Sequence, residues 1–206
     1  IPAPKTGSPV TGLISFQDSL TIFTQDNKYI FTGSDKGSFN LRQSTGAKGA
    51  LSMRGITNDE NFIYFVADDG MYEFNGSADK NISSKRIAPL LDGCPLKGDI
   101  TPIVWKNKVR WYMASRGSAQ NDICVLYNRA VDGEWEMDTD VFVTDALYYD
   151  DADDNQELIE FSSLYNMAMQ AEVGYHTLGA PIDFEYRLKY DSMGLPAQKK
   201  RIRRYY

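Results

Sequence analysis

An all-β fold of antiparallel hairpins in series is predicted by three features of this chain. β-Branched and aromatic residues cluster in short runs split by tight polar turns, the runs recur at a near-constant interval, and 13% of the residues are aromatic. Such residues favour strands because flat, large or branched side chains fill the space between sheet faces. The unit reads Leu20-Thr21-Ile22-Phe23, then Gln25-Asp26-Asn27, then Tyr29-Ile30-Phe31-Thr32-Gly33. It returns as Phe62 to Val66, Asp68-Asp69-Gly70 and Met71 to Gly76, and Val109 to Met113 and Leu158 to Ser162 continue the series. The pivots Ile22, Phe65, Tyr112 and Phe161 therefore fall 43, 47 and 49 residues apart. Radially repeated all-β folds use roughly 40 to 50 residues per four-stranded blade. The expected class is thus all-β, with β-propeller-like repeats of antiparallel sheets.

Residues 1–11, with three prolines and a glycine, read as an extended arm. Gly12 to Phe16 is an opening strand, followed by the first hairpin and by Phe39 to Arg42. Ala50 to Met53 begins the second unit. From Phe62 to Val66 both faces are apolar, as in a strand buried between neighbours. Ser83 to Leu91 is predicted as a short helix with Ser84 as its cap and Pro89 as its limit. Ile100 to Trp105 and Val109 to Ala114 form a hairpin across Lys106-Asn107-Lys108. Asp122 to Arg129 and Glu134 to Asp138 form another across Val131-Asp132-Gly133, where Asp-Gly supplies the positive φ angles of a tight turn. Val141 to Tyr149 is a further strand, and Leu158 to Ser162 pairs with Tyr165 to Ala171. Gly174 to Pro181 breaks the pattern. Ile182 to Tyr190 alternates apolar and charged residues, a half-buried strand, and Lys199 to Tyr206 is a basic strand. Residues 12–181 are accordingly read as the repeats and 182–206 as the start of a second β module.

The chain of 206 residues carries a net charge of −6 and has no apolar run near the roughly 18 residues that a membrane helix needs. The charge is segregated. Between Ala130 and Tyr186 there are fifteen acids and no Lys or Arg, whereas Arg187 to Tyr206 carries seven basic residues against the single acid Asp191. Such separation suits head-to-tail contact between copies, with solvated faces as the alternative. Lys199, Lys200, Arg201, Arg203 and Arg204 alternate with Ile202 in a strand, which favours a protein interface over a nucleic-acid one, because the stacking aromatics of an RNA-binding sheet are missing.

Little in the chain suggests catalysis. His176 is the only histidine, so no site with two histidine ligands forms within one chain. Cys94 and Cys124 read as two independent thiols, and no phosphate-binding glycine loop is present. Residues 150–157 offer alternating oxygen ligands of the kind Ca²⁺ needs. Counted from Asp151, however, Gln156 stands where a calcium loop has its sixth-position glycine and Ser162 where it has its closing glutamate, which excludes an EF-hand and favours an acidic hairpin tip. Asp68, Asp69, Asp132 and Glu134 sit at turns, where paired carboxylates would serve glycoside hydrolysis and where Asp also belongs for conformational reasons. The expectation is no cofactor and no metal.

Three segments carry a resemblance. Gly12 to Phe16 through Tyr29 to Gly33, and then Ile63 to Gly76 with its Gly70-Met71-Tyr72 and Asn75-Gly76, resemble structural propeller proteins of tailed bacteriophages. Ile182 to Arg187, Pro196 and Lys199 to Arg203 are similar to the passage where the propeller in those proteins gives way to a β-sandwich. The resemblance implies a non-enzymatic virion component of the tail or neck, oligomeric about the tail axis, with no catalytic residues. Its partners would be other copies, other tail or neck proteins and further segments of the same polypeptide. It also implies a propeller left incomplete at Tyr206. A host-surface glycan-binding or glycan-cleaving propeller is the alternative.

Overall fold

The computed structural model describes residues 8–131, 134–153, 155–162, 164, 166–171, 176–177 and 180–181, the last four and 84–86 by backbone alone. The chain divides into two compact units, Ile1–Glu172 and Val173–Tyr206. In the second, β16 (His176–Thr177) pairs antiparallel with β17 (Ala180–Pro181).

The first unit is a succession of four antiparallel sheets. Each is a meander whose spatial order is its order in the chain, and none closes on itself. The first holds β1 (Val10–Phe16), β2 (Ser19–Thr24), β3 (Lys28–Thr32) and β4 (Asn40–Gln43). The second holds β5 (Ile56–Asn58), β6 (Ile63–Ala67), β7 (Gly70–Phe74) and β8 (Asp79–Asn81). The third holds β9 (Thr101–Trp105), β10 (Lys108–Met113), β11 (Ile123–Asn128) and β12 (Trp135–Thr139). The fourth shows β13 (Asp145–Asp150), β14 (Gln156–Ser162) and β15 (Met167–Gln170). The first strand of each sheet lies beside the first strand of the next, in the order β1, β5, β9, β13. Tight turns set the registers: Gln17 and Asp18 take φ of 45° and 56°, the double positive φ that a two-residue hairpin needs, and so pair Phe16 with Ser19.

Strand alternation explains how the sheets stack. In β6 the odd residues Ile63, Phe65 and Ala67 pack on the first sheet with Phe16, Phe23 and Ile30. The even residues Tyr64 and Val66 pack toward the third sheet with Val109, Trp111 and Val125. The third sheet repeats the arrangement, turning Trp105, Tyr112 and Leu126 toward Leu158 of the fourth. The middle strands are therefore apolar on both faces, which is why they read as continuous hydrophobic runs. Gly49 marks the passage from the first sheet to the second. A Cβ there would lie 2.0 Å from the Thr24 carbonyl oxygen, and the next amide, Ala50, donates to that oxygen at 3.0 Å.

Each of the three junctions also carries an ion pair. Lys28 Nζ meets Asp79 at 2.6 Å, fully buried and 4.6 Å from the centre of the Phe74 ring. Arg129 meets Asp59 at 2.5 Å between the second and third sheets. Arg110 meets Glu160 at 3.4 Å between the third and fourth, where the Tyr112 hydroxyl donates to the same carboxylate at 2.5 Å.

Two local expectations are corrected, and the start of the second unit takes a definite form. Helix α1 (Ser84–Gly93) runs past Pro89 and begins after Ser83, whose side chain makes no cap bond. The proline removes one backbone donor, but Ile87 on one side of it and Leu91 on the other are both buried in the core of the second and third sheets, which holds the helix together. The strand expected from Val141 starts at Asp145, because the Val141 amide donates to Asp122 and Val143 is buried against the third sheet. Ala50 to Met53 is a connector that ends in a single 3₁₀ turn over Met53–Gly55, and β5 follows it.

Burial gives this packing a pH signature. It pushes the phenols of Tyr64, Tyr72 and Tyr112 above the free value of 10.0 and the Cys124 thiol above 9.0. The folded chain then holds protons that the unfolded chain releases, so stability is complete below pH 9 and falls as the pH rises through 9 to 10 and beyond. Lys28 acts in the opposite sense. Desolvation lowers its pKa against the pull of Asp79, so it adds stability as the pH rises from that lowered value to 10.5. With four groups against one, the unfolding midpoint in urea is expected to drop between pH 8.5 and 10.5, and a midpoint that rises across that range would refute the assignment of these groups.

Candidate functional site: the cleft at the first turns

A meander places its first and third turns at one end and its second at the other. The β1–β2, β5–β6, β9–β10 and β13–β14 turns therefore share one end of the row of first strands, and they enclose a cleft of about 670 Å³. Gln17 and Asp18 come from the first turn, Asn58, Asp59 and Glu60 from the second, and Lys106 from the third. Tyr148 and Gln156 come from the fourth hairpin, and Arg129 from the turn after β11.

Neighbouring turns are strapped together by polar contacts. Asn58 Nδ2 donates to the Ser15 carbonyl at 3.0 Å, joining the first turn to the second. Arg129 joins the second to the third: it pairs with Asp59 and donates to the Lys106 carbonyl at 3.2 Å. The Lys106 amide donates to Gln156 Oε1 at 3.4 Å, joining the third to the fourth. Asp59 is fully used, since its other oxygen accepts the amides of Asn61 and Phe62 at 2.7 Å each. Lys106 Nζ stands 3.8 Å from the centre of the Trp105 ring. Asp18, Glu60 and half-exposed Tyr148 are left facing solvent. Such a mixture of amides, carboxylates, one ammonium and an aromatic face suits a polar ligand held by hydrogen bonds and ring contact.

The acids singled out from the sequence do not meet there. Asp68 and Asp69 occupy the β6–β7 turn, at the opposite end of the sheet. Asp69 pairs with Lys48 at 2.5 Å and accepts from the Tyr72 hydroxyl, while the Asp68 carbonyl accepts from Lys97. Glu134 precedes β12 and is exposed, and Asp132 lies outside the described residues. In the acidic tip, Asp151 turns its carboxylate inward to accept the amides of Asp153 and Asn155 at 2.8 Å. The Asn155 amide holds that carboxyl below the usual carboxylate range. No group of three or more metal-ligating side chains occurs among the described residues. Cys94 and Cys124 are free and buried, and burial keeps the Cys124 thiol protonated. The side chain of His176 and the basic residues Lys199, Lys200, Arg201, Arg203 and Arg204 lie outside the described residues.

Sequence reading missed Asp18, Asn58, Asp59, Glu60, Tyr148 and Gln156 because it chose acids by turn chemistry alone. The signal that finds them is the position of the turn in its unit: the cleft is lined by the turns after the first strands, joined by Arg129 from the turn after β11.

The fold and site together define an all-β protein of consecutive antiparallel meanders with a polar cleft where their first turns converge. The solved structures it resembles include the computationally designed Ika4 protein, at TM-score 0.51 and 13% identity over 82% of this chain and 93% of that one, a likeness of fold. A GH43 glycoside hydrolase engineered to display both endo-xylanase and exo-arabinofuranosidase activity aligns at TM-score 0.37 and 10% identity over 80% of this chain and 37% of that one. No family model and no curated protein matches the chain. No helix among the described residues is long and apolar enough to cross a membrane.

Proposed function

We propose that this chain is a non-enzymatic structural component of a tailed-bacteriophage virion, a propeller-type module of the tail or neck that acts by assembly. The observation that carries the propeller reading is the row of first strands, with each successive sheet stacked face to face on the last and its turns gathered at one central cleft, as blades are gathered about a channel. The assembly reading is supported by the end of that row: Leu147, Tyr149 and Phe161 of the fourth sheet are each at least 36% exposed, an apolar surface of the kind that marks an interaction site. The virion assignment rests on the motifs from Gly12 to Gly33 and from Ile63 to Gly76. Neighbouring copies, other tail or neck proteins and further segments of the same polypeptide are the partners it implies.

The test is mass spectrometry of density-purified particles from a lysate that encodes the chain. Its peptides are expected in the particle at a fixed ratio to those of the major tail protein. Their absence from particles, with abundant protein in the soluble fraction, would overturn the assignment.

The cleft favours a second reading, a host-surface glycan receptor. On that reading the wild-type chain is retained on a glycan array, Asp18→Asn and Glu60→Gln each weaken the signal about tenfold, and no sugar is released. Binding that both substitutions leave unchanged would remove the cleft as the site.

A further inference from the structure

We propose that the two uncovered ends of the row of sheets are halves of one further junction, made when a second copy of this chain closes an eight-sheet ring about a two-fold axis. The inference rests on the assembly reading and names its partner. In each internal junction the face that follows from one sheet meets the face that leads on the next: Phe23 and Ile30 against Phe65, then Tyr64 and Val66 against Trp111, then Tyr112 and Leu126 against Leu158. The register shows what is left over. On the first sheet, Leu13 and Ile22 form one cross-strand row, and Leu20, Phe31 and Leu41 the next, opposite in sense to the buried Phe23 and Ile30. Tyr29, which pairs with Ile22, is buried on this leading face, and the five others are half-buried or exposed, with Leu13 at 47%. On the fourth sheet, Leu147 pairs with Ile159, and Phe161 and Tyr149 share their face, opposite in sense to buried Leu158. This is a trailing face equivalent to the one that carries Tyr112 and Leu126.

The free surfaces are thus one leading and one trailing face, the complementary pair that every internal junction already uses. A two-fold axis satisfies both at once, because the first sheet of each copy meets the fourth sheet of the other. Two copies bring eight sheets, within the four to eight blades at which radial folds close, whereas three copies exceed it.

The full 206-residue chain, studied by sedimentation and light scattering over a hundredfold concentration range, is expected to show reversible dimers. Leu13→Lys and Phe161→Glu alter side chains that are already exposed, so circular dichroism should be unchanged, and each is expected to raise the dimer dissociation constant at least about tenfold. Mixing the two variants should restore dimers, because one junction is then intact and the other faces Lys with Glu. A monomer at every concentration, a trimer or open filament, or variants that dimerise like the wild type would each overturn the two-copy ring. A monomer in solution that is still found in purified virions overturns only the ring, and a dimer absent from virions overturns only the virion assignment.

Discussion

Asp79→Ala is expected to lower the unfolding free energy by about 3–5 kcal/mol, the usual cost of removing one partner from a buried ion pair. Lys28 has no exposed side-chain surface. Its ammonium sits 4.6 and 4.9 Å from the centres of the Phe74 and Phe65 rings, and it donates to the Lys48 carbonyl at 2.8 Å. Deleting the carboxylate leaves a charge that the rings and one carbonyl do not neutralise, and it also removes the acceptor for the Lys48 amide at 3.1 Å. The pair Lys28→Met with Asp79→Leu should recover most of the loss, because apolar groups of similar volume replace a buried pair at little cost. Urea denaturation of the three proteins is the measurement. A loss below about 1 kcal/mol for the single variant would show that the pair behaves as a solvated one.

Glu160→Ala is expected to cost a similar 3–5 kcal/mol, at the other end of the row. Its carboxylate takes the Tyr112 hydroxyl at 2.5 Å and the Arg110 guanidinium at 3.4 Å, all three within the junction between the third and fourth sheets. Arg110 is 5% exposed and lies 5.1 Å from the centre of the Trp105 ring, so the substitution takes an ion-pair partner from a buried guanidinium and the acceptor from the buried Tyr112 hydroxyl together. The two variants should differ in where the damage shows. Sheets that touch only their neighbours loosen locally, so amide exchange should quicken first in β13 to β15 for Glu160→Ala and in β1 to β4 for Asp79→Ala. Uniform acceleration along the whole chain in both variants would mean that the sheets unfold as one unit.

How much of this was legible depended on the length and burial of each strand. The hairpins β2–β3, β6–β7 and β9–β10 stand out because their strands are apolar or β-branched and their turns polar. β5 and β8 are three residues each, Ile-Thr-Asn and Asp-Lys-Asn, and no pattern of period two can be recognised in so short a run. Pro89 alone points to too early an end for α1, because the packing of Leu91 overrides the proline. The cleft was hidden for a different reason. Asp18, Glu60 and Gln156 are far apart in the chain and ordinary in type, and only the alternation of turn ends brings them together. Of the ion pairs at the junctions, Lys28 with Asp79 spans 51 residues and Arg110 with Glu160 spans 50, separations close to one repeat, so a search for opposite charges at the repeat interval would have found both.

The outermost strands remain. β4, β8 and β12 have no fully buried residue, while β6 and β10 are buried almost throughout. Selection therefore bears unequally on the two. Inner positions tolerate little drift, but the rim can be rewritten, lengthened or given new loops with hardly any penalty to folding. Descendants of this chain should diverge first in these fourth strands, keeping the buried second strands in common while the exposed ones come to suit different neighbours.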